Sequence, residues 1–94
     1  MARAPSSTRV EHDAALIAAH LEPHPNRPGE DEWRLKERGV PVWAIIGSLT
    51  PTGDNAARVA HDYGVSPEAV AAARVYYRRH RSLIDARLAA NRAA

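Results

Sequence analysis

AHDYGVSPEAV, residues 60–70, is the stretch on which the fold turns. Two short helices joined by a tight turn pack closely only if the first carries a small residue at the crossing and the chain can reverse between them. Ala60 is that small residue, and Gly64 supplies the left-handed turn position. Val65 fills the interior, and Ser66 caps the second helix. Pro67 sits at its first position, where a missing N–H costs nothing. Val70 anchors the second helix. The spacing Ala60, Gly64, Val70 is that of a helix-turn-helix, expected over residues 54–79.

Working upstream, Asp54 is positioned to cap a first helix over about Asn55–Asp62 whose buried candidates are Val59, Ala60 and Tyr63. The loop TPTGD (50–54) separates it from Val42, Ile45, Ile46 and Leu49, an i, i+3, i+4, i+7 row that marks a helix with one buried face. In EDEWRLKERGVPVW (30–43), Trp33 and Leu35 alternate with Arg34, and Lys36–Gly39 reads as a turn before Val40–Val42. A short hairpin or a pair of edge strands follows, because Pro41 fits only an edge strand or the first turn of a helix. Val10, Ala14, Ile17 and Leu21 form a four-three-four stripe of a short helix, with Asp13 as its candidate cap and residues 1–9 expected to fray. PHPNRPG (23–29) cannot continue it.

Downstream of Ser66 nothing breaks the pattern until about Ala90. Val70, Ala73 and Tyr77 lie on one stripe, continued by Ile84 and Leu88. One long helix, or two abutting helices bent near His80–Ser82, satisfies this. The expected fold is mainly α: a three-helix helix-turn-helix core with a short N-terminal β element and a long C-terminal helix. Residues 1–31 read as an N-terminal accessory helix and Pro-rich linker, and residues 32–94 as the helix-turn-helix domain with its C-terminal helical extension.

A chain of 94 residues supports one small core with a thin stability margin, so self-association is expected. There is no cysteine, which removes disulfides and thiolate metal sites. No apolar stretch reaches the ~18 residues of a membrane span, and MARAPSSTRVEHD has no secretory apolar run, so a soluble cytoplasmic protein with no membrane partner is expected. Twelve arginines to one lysine, with abundant alanine, suit a GC-rich bacterial coding bias. The net charge of +2 is uneven: residues 66–94 carry six arginines against Glu68 and Asp85, a balance of +4, and residues 1–65 carry −2. A basic C-terminal third suits a phosphate-binding face, and equally a solvated helix surface written in arginine.

The outward positions at the start of the second helix, Ser66, Pro67, Glu68, Ala71 and Ala72, are poor in base readers. Arg74, Arg78 and Arg79 could hold phosphates further along. The candidate DNA-binding set is therefore Ser66, Glu68, Ala71, Arg74, Arg78 and Arg79. Specificity would come from Ser66, Glu68, a basic arm at Arg3 and Arg9, or dimer spacing.

Trp33 and Trp43 belong either to the core or dimer seam, or to a partner groove. Tyr76 and Tyr77 are adjacent and so face different ways, one inward and one to an interface. The stripe of Ile84, Leu88 and Leu83 is thin for a helix standing alone, which points to helix-in-groove docking. Trp33, Trp43, Tyr76, Ile84 and Leu88 form the candidate partner or dimer interface. His20 and His24 have i, i+4 spacing, but prolines flank His24 and no third ligand is evident, so no metal site is expected. His61 and His80 read as surface or cap residues. The carboxylates of GEDEW (29–33) lack neighbours to shift their pKa, and no nucleophile with a base and no phosphate-cradling loop appears. A binding module without cofactor is expected, not an enzyme.

RGVPVWAIIGSL (38–49), the helix-turn-helix, and YYRRHRSLIDARL (76–88) together resemble the bacterial domain-of-unknown-function family 433. The matching positions are Gly39, Pro41, Val42, Tyr63, Ser66, Tyr76, Tyr77, His80, Arg81, Ile84 and Asp85, over about residues 33–90. The stretch from Val10 to Asp31 and the loop Thr50–Asp54 depart from that family's pattern. The resemblance implies a VapB-like antitoxin of a type II toxin–antitoxin pair. Such a protein is a dimeric helix-turn-helix, winged or plain, that binds double-stranded operator DNA and neutralises a cognate toxin, often a PIN-like ribonuclease. The alternative is an interaction module that masks or scaffolds a partner without touching DNA.

Overall fold

A computed structural model describes residues 5–93. The described chain is mainly helical, with a small two-stranded antiparallel sheet ahead of the helix-turn-helix and a helix at its C-terminal end. The elements run α1 (Pro5–His20), β1 (Leu21–Glu22), a 3₁₀ turn (Glu30–Glu32), β2 (Arg34–Leu35), α2 (Val42–Leu49), α3 (Ala56–Tyr63), α4 (Pro67–Arg79) and α5 (Arg81–Ala93).

The central helices form where the pattern placed them. Val42, Ile45, Ile46 and Leu49 are all buried, so the i, i+3, i+4, i+7 row is the inner face of α2. Pro41 occupies the N-cap of α2 with φ −64, the value its ring imposes. In the turn, Gly64 is left-handed (φ 68, ψ 37), and its N–H and that of Val65 close the end of α3 on carbonyls of His61 and Ala60. Val59, Ala60, Val65 and Val70 are buried beneath it. Ser66 caps α4, its Oγ accepting from the Ala69 N–H at 3.1 Å, with Pro67 following.

Three local expectations shift, and one left open is decided. Asp54 is not the cap of α3: it takes φ 64, and Asn55 caps instead, Oδ1 accepting from Arg58 N–H at 3.0 Å. Either residue type caps well, so the loop geometry made the choice. Asp13 is likewise no cap, since α1 already runs from Pro5, and Arg9 is part of that helix and not of an extended arm. Arg3 lies outside the described residues. Of the two forms expected for the C-terminal stretch, the structure has the second, two abutting helices that part at His80 (φ −130, ψ 37), whose N–H still bonds back to Tyr76 and Tyr77 carbonyls.

The β element has an unforeseen partner. The turn Lys36–Gly39 does fold the chain back, with Leu35 N–H on Val40 O at 2.7 Å, Val42 N–H on Trp33 O at 3.0 Å, and a bridge from Arg34 to Pro41. The named sheet, however, pairs Leu21 with Leu35 and Glu22 with Arg34. Lys36 completes the seam, its N–H on His20 O at 2.9 Å and its Nζ on Ala18 O at 2.8 Å, closing carbonyls left open at the end of α1. The proline-rich segment thus loops out between two paired strands. Leu21 shares one apolar core with α2, α3 and α4, and α1 packs along α4, whose buried Ala69, Ala72 and Ala73 permit a close approach.

Candidate nucleic-acid interface

Helix α4 is covered on two sides, so its remaining surface is narrow. Val70 and Ala73 are buried, as are Ala69, Ala72, Val75 and Tyr76. Ala72, expected outward, is 0 % exposed, because the approach of α1 uses a side of α4 that a free recognition helix would leave open. What stays outside is a row at four-three-four spacing: Pro67, Ala71, Arg74 and Arg78, with Glu68 and Arg79 beside it.

The candidate DNA-binding residues separate along this helix. At its start, Ser66 is already occupied: its N–H donates to Glu37 Oε1 at 2.9 Å and its hydroxyl to Glu37 Oε2 at 2.7 Å while also capping α4. The Ser66 hydroxyl, then the Ser66 backbone N–H, hold the Glu37 carboxyl below the usual carboxylate range, with His20 at 3.8 Å adding to the effect. Glu37 and Glu68 put negative charge at the helix N-terminus, which favours the helix and disfavours a phosphate there. Ala71 is exposed, and its small side chain lets another surface come close to the backbone. Arg74 is half exposed and bound to Asp54 at 2.7 Å. Arg78 and Arg79 are exposed and have no hydrogen bond or ion pair among the described residues.

Beside the row lies a cleft of about 530 Å³ between α2, the loop 50–54, α4 and α5. Ile46, Leu49 and Tyr77 give it an apolar floor, and Arg74, Arg78 and Arg81 line it together with Asp54, to which Arg74 is bonded. Arg81 lies over the Tyr77 ring, 5.4 Å from its centroid. The Tyr77 hydroxyl donates to Asp85 at 2.8 Å, a bond to its neutral form that raises the phenol pKa, with desolvation second. A smaller depression of about 240 Å³ lies along α4, walled by Pro67, Ala71 and Val75, and shares Arg74 and Arg78 with the cleft.

The candidate interface set is drawn mostly inward. Ile84 is fully buried and Tyr76 nearly so, which removes both from any outer surface of the single chain. Of the two adjacent tyrosines, Tyr77 is the outward one. Tyr76 stacks on Trp33 (centroids 5.3 Å apart), packs against His80 and donates its hydroxyl to Glu30 O at 2.6 Å. Burial, then the Glu30 and Asp31 charges, push the Tyr76 phenol far above its ordinary pKa. Trp33, Trp43 and Leu88 are half-buried against the core.

Sequence reasoning missed the clamp that holds these residues. Arg87 reaches from α5 to Glu32 at 2.6 Å and Asp31 at 3.6 Å, and its guanidinium lies 5.0 Å from the Trp43 ring centroid. Two of the three GEDEW carboxylates, Asp31 and Glu32, are thus partners of a folded arginine, and Glu30 lies 3.8 Å from His80. The sequence signal was a lone arginine on the apolar side of α5, i+3 from Ile84.

No group of three or more metal-ligating side chains occurs among the described residues. His20, Glu37 and Ser66 do meet, but the carboxylate lies between the serine and the histidine, so the histidine cannot take the hydroxyl proton as a serine nucleophile requires. No described helix is long and apolar enough to cross a membrane. Comparison with family models, with curated proteins and with solved structures found no match to this chain.

Proposed function

We propose that this protein is a DNA-binding regulator of the antitoxin type, a binding module and not an enzyme. The observation that carries the DNA reading is the exposed row Pro67, Ala71, Arg74, Arg78 on the second helix of a helix-turn-helix. It has small residues at the front, where a groove must admit the backbone, and uncommitted guanidinium groups at Arg78 and Arg79 behind. Arginine forks suit phosphate oxygens, and a face with few base readers gives affinity before sequence preference. Ser66 drops out as a base contact because Glu37 holds its hydroxyl, so Glu68 and Ala71 are the base-edge positions, Glu68 as an acceptor for a cytosine amino group.

The antitoxin part rests on the family resemblance of residues 33–90. With it come a cognate toxin, a PIN-like ribonuclease in the usual pairing, autoregulation of its own promoter in the cytoplasm, and a homodimer. Two copies would supply the half-site spacing that one weak recognition helix lacks.

Fluorescence anisotropy with a labelled duplex from the protein's own promoter tests the DNA reading. Binding should fall steeply between low and physiological salt. Arg78→Ala and Arg79→Ala should each weaken promoter and unrelated duplexes alike and lower the salt slope by about one. Absence of duplex binding at low salt would leave the second reading, a partner-masking module. The apolar floor of the cleft favours that reading, since a phosphate backbone has no use for it.

A further inference from the structure

The cleft is a trough beside the last turns of α4 and the start of α5, walled from Arg74 to Arg81, and Arg74 and Arg78 also line the smaller depression. At helical rise that span is about 10 Å, two turns of a helix laid alongside. Three arginines border it against the single carboxylate of Asp54, and the floor of Ile46, Leu49 and Tyr77 is apolar. We propose that this trough docks an acidic amphipathic helix of a partner protein, apolar residues on the floor and carboxylates on Arg74, Arg78 and Arg81.

Charge and floor together select this occupant. A phosphate backbone would use the arginines but not Ile46, Leu49 and Tyr77, and an uncharged apolar segment would leave the guanidinium groups of Arg78 and Arg81 at its edge unanswered. The Arg74–Asp54 bond does not block entry. Asp54 is largely exposed on the loop, and a partner carboxylate replaces it on the same arginine. Where the DNA reading also holds, Arg74 and Arg78 serve both ligands, and the docked helix and the duplex exclude each other.

The probe is a synthetic helical peptide of about 16 residues with leucines at i, i+4, i+7 and i+11 and glutamates between them, titrated by anisotropy against the full chain. Saturable binding is expected, weakened about tenfold by Arg81→Glu and by Thr50→Trp. Thr50 is exposed, helical in backbone and on the cleft wall, so the indole fills the cleft without touching the core. Circular dichroism matched to wild type checks that both variants fold, and Arg79→Ala, outside the trough, should leave peptide binding unchanged.

Several results would overturn the proposal: no binding, equal binding of a peptide with serines for leucines, indifference to Thr50→Trp, or displacement by inorganic phosphate as effective as by unlabelled peptide. The duplex titration is scored separately. Weaker duplex binding in Arg79→Ala with peptide binding intact separates the two surfaces, and a chain that binds peptide but no duplex sinks only the DNA reading.

Discussion

Arg87 and Arg78 are the same residue type on adjacent helices, and the tertiary structure gives them opposite tasks. Arg87 is 19 % exposed, bonded to Glu32 and Asp31 and laid over Trp43. Arg78 stands in solvent at the edge of a cleft, with no partner among the described residues. The difference comes from what faces each helix. The inner side of α5 meets the 3₁₀ turn Glu30–Glu32 and α2, whereas on the outer side of α4 only Arg74 is held, by Asp54, and Arg78 and Arg79 have no partner among the described residues. Guanidinium charge is therefore structural at Arg87 and available at Arg78, although both look alike in a basic C-terminal third.

Substitutions can break this contrast at either end. The largest effect is expected on the anchored side from Ile84→Ala, which empties a fully buried position one turn before Arg87. It should cost about 2–4 kcal/mol in urea unfolding, and a loss under about 0.5 kcal/mol would mean that α5 is not packed as described. Arg87→Ala should follow at about 2 kcal/mol, because it leaves the Glu32 carboxylate, 17 % exposed, without its cation. Ser66→Ala removes the α4 cap and should cost about 1 kcal/mol in the same assay.

A pH series sharpens the contrast further. The folded-state pKa of Glu37 is lowered, so its contribution is fully present above the ordinary glutamate value near 4.5 and is lost as pH falls through the folded value. In Glu37→Gln, stability should vary less between pH 5 and acid than in wild type, as followed by urea midpoints at each pH. Identical pH profiles would remove the Ser66–Glu37 contact from the account. The smallest stability effect belongs to Arg78→Ala, within about 0.5 kcal/mol of wild type. Its measurable loss is expected in duplex binding instead.

The helix-turn-helix was legible because its demands are local. A left-handed turn at Gly64, a serine cap, a proline at the first position and an apolar row on α2 are each fixed by residues within one or two turns. The break at His80 was half legible, since the stripe continues through it and only the backbone angles say where the helix stops. The choice between Asp54 and Asn55 as cap was not, because both can cap and the loop decides.

The candidate site was read unevenly for a related reason. Periodicity orders residues around α4 but does not say which sides are covered, and α1 arrives from a segment that reads as an accessory element. Its packing buried Ala72, while the pairing of Leu21 with Leu35 joined two segments fourteen residues apart that no local pattern links. Tyr76 and Tyr77 had to face different ways by helical geometry alone, and which one faced inward depended on Trp33 and Glu30 standing across from it.

By itself, then, the sequence determined the central helices, the turn that joins α3 to α4, the inner face of α2 and the uneven charge, since these follow from backbone preferences and short-range spacing. Only the tertiary structure decided which arginines are spent and which are free. An arginine's role depends on whether a carboxylate or an aromatic face from a distant segment reaches it before solvent does, and that is a property of packing, which one-dimensional spacing does not carry.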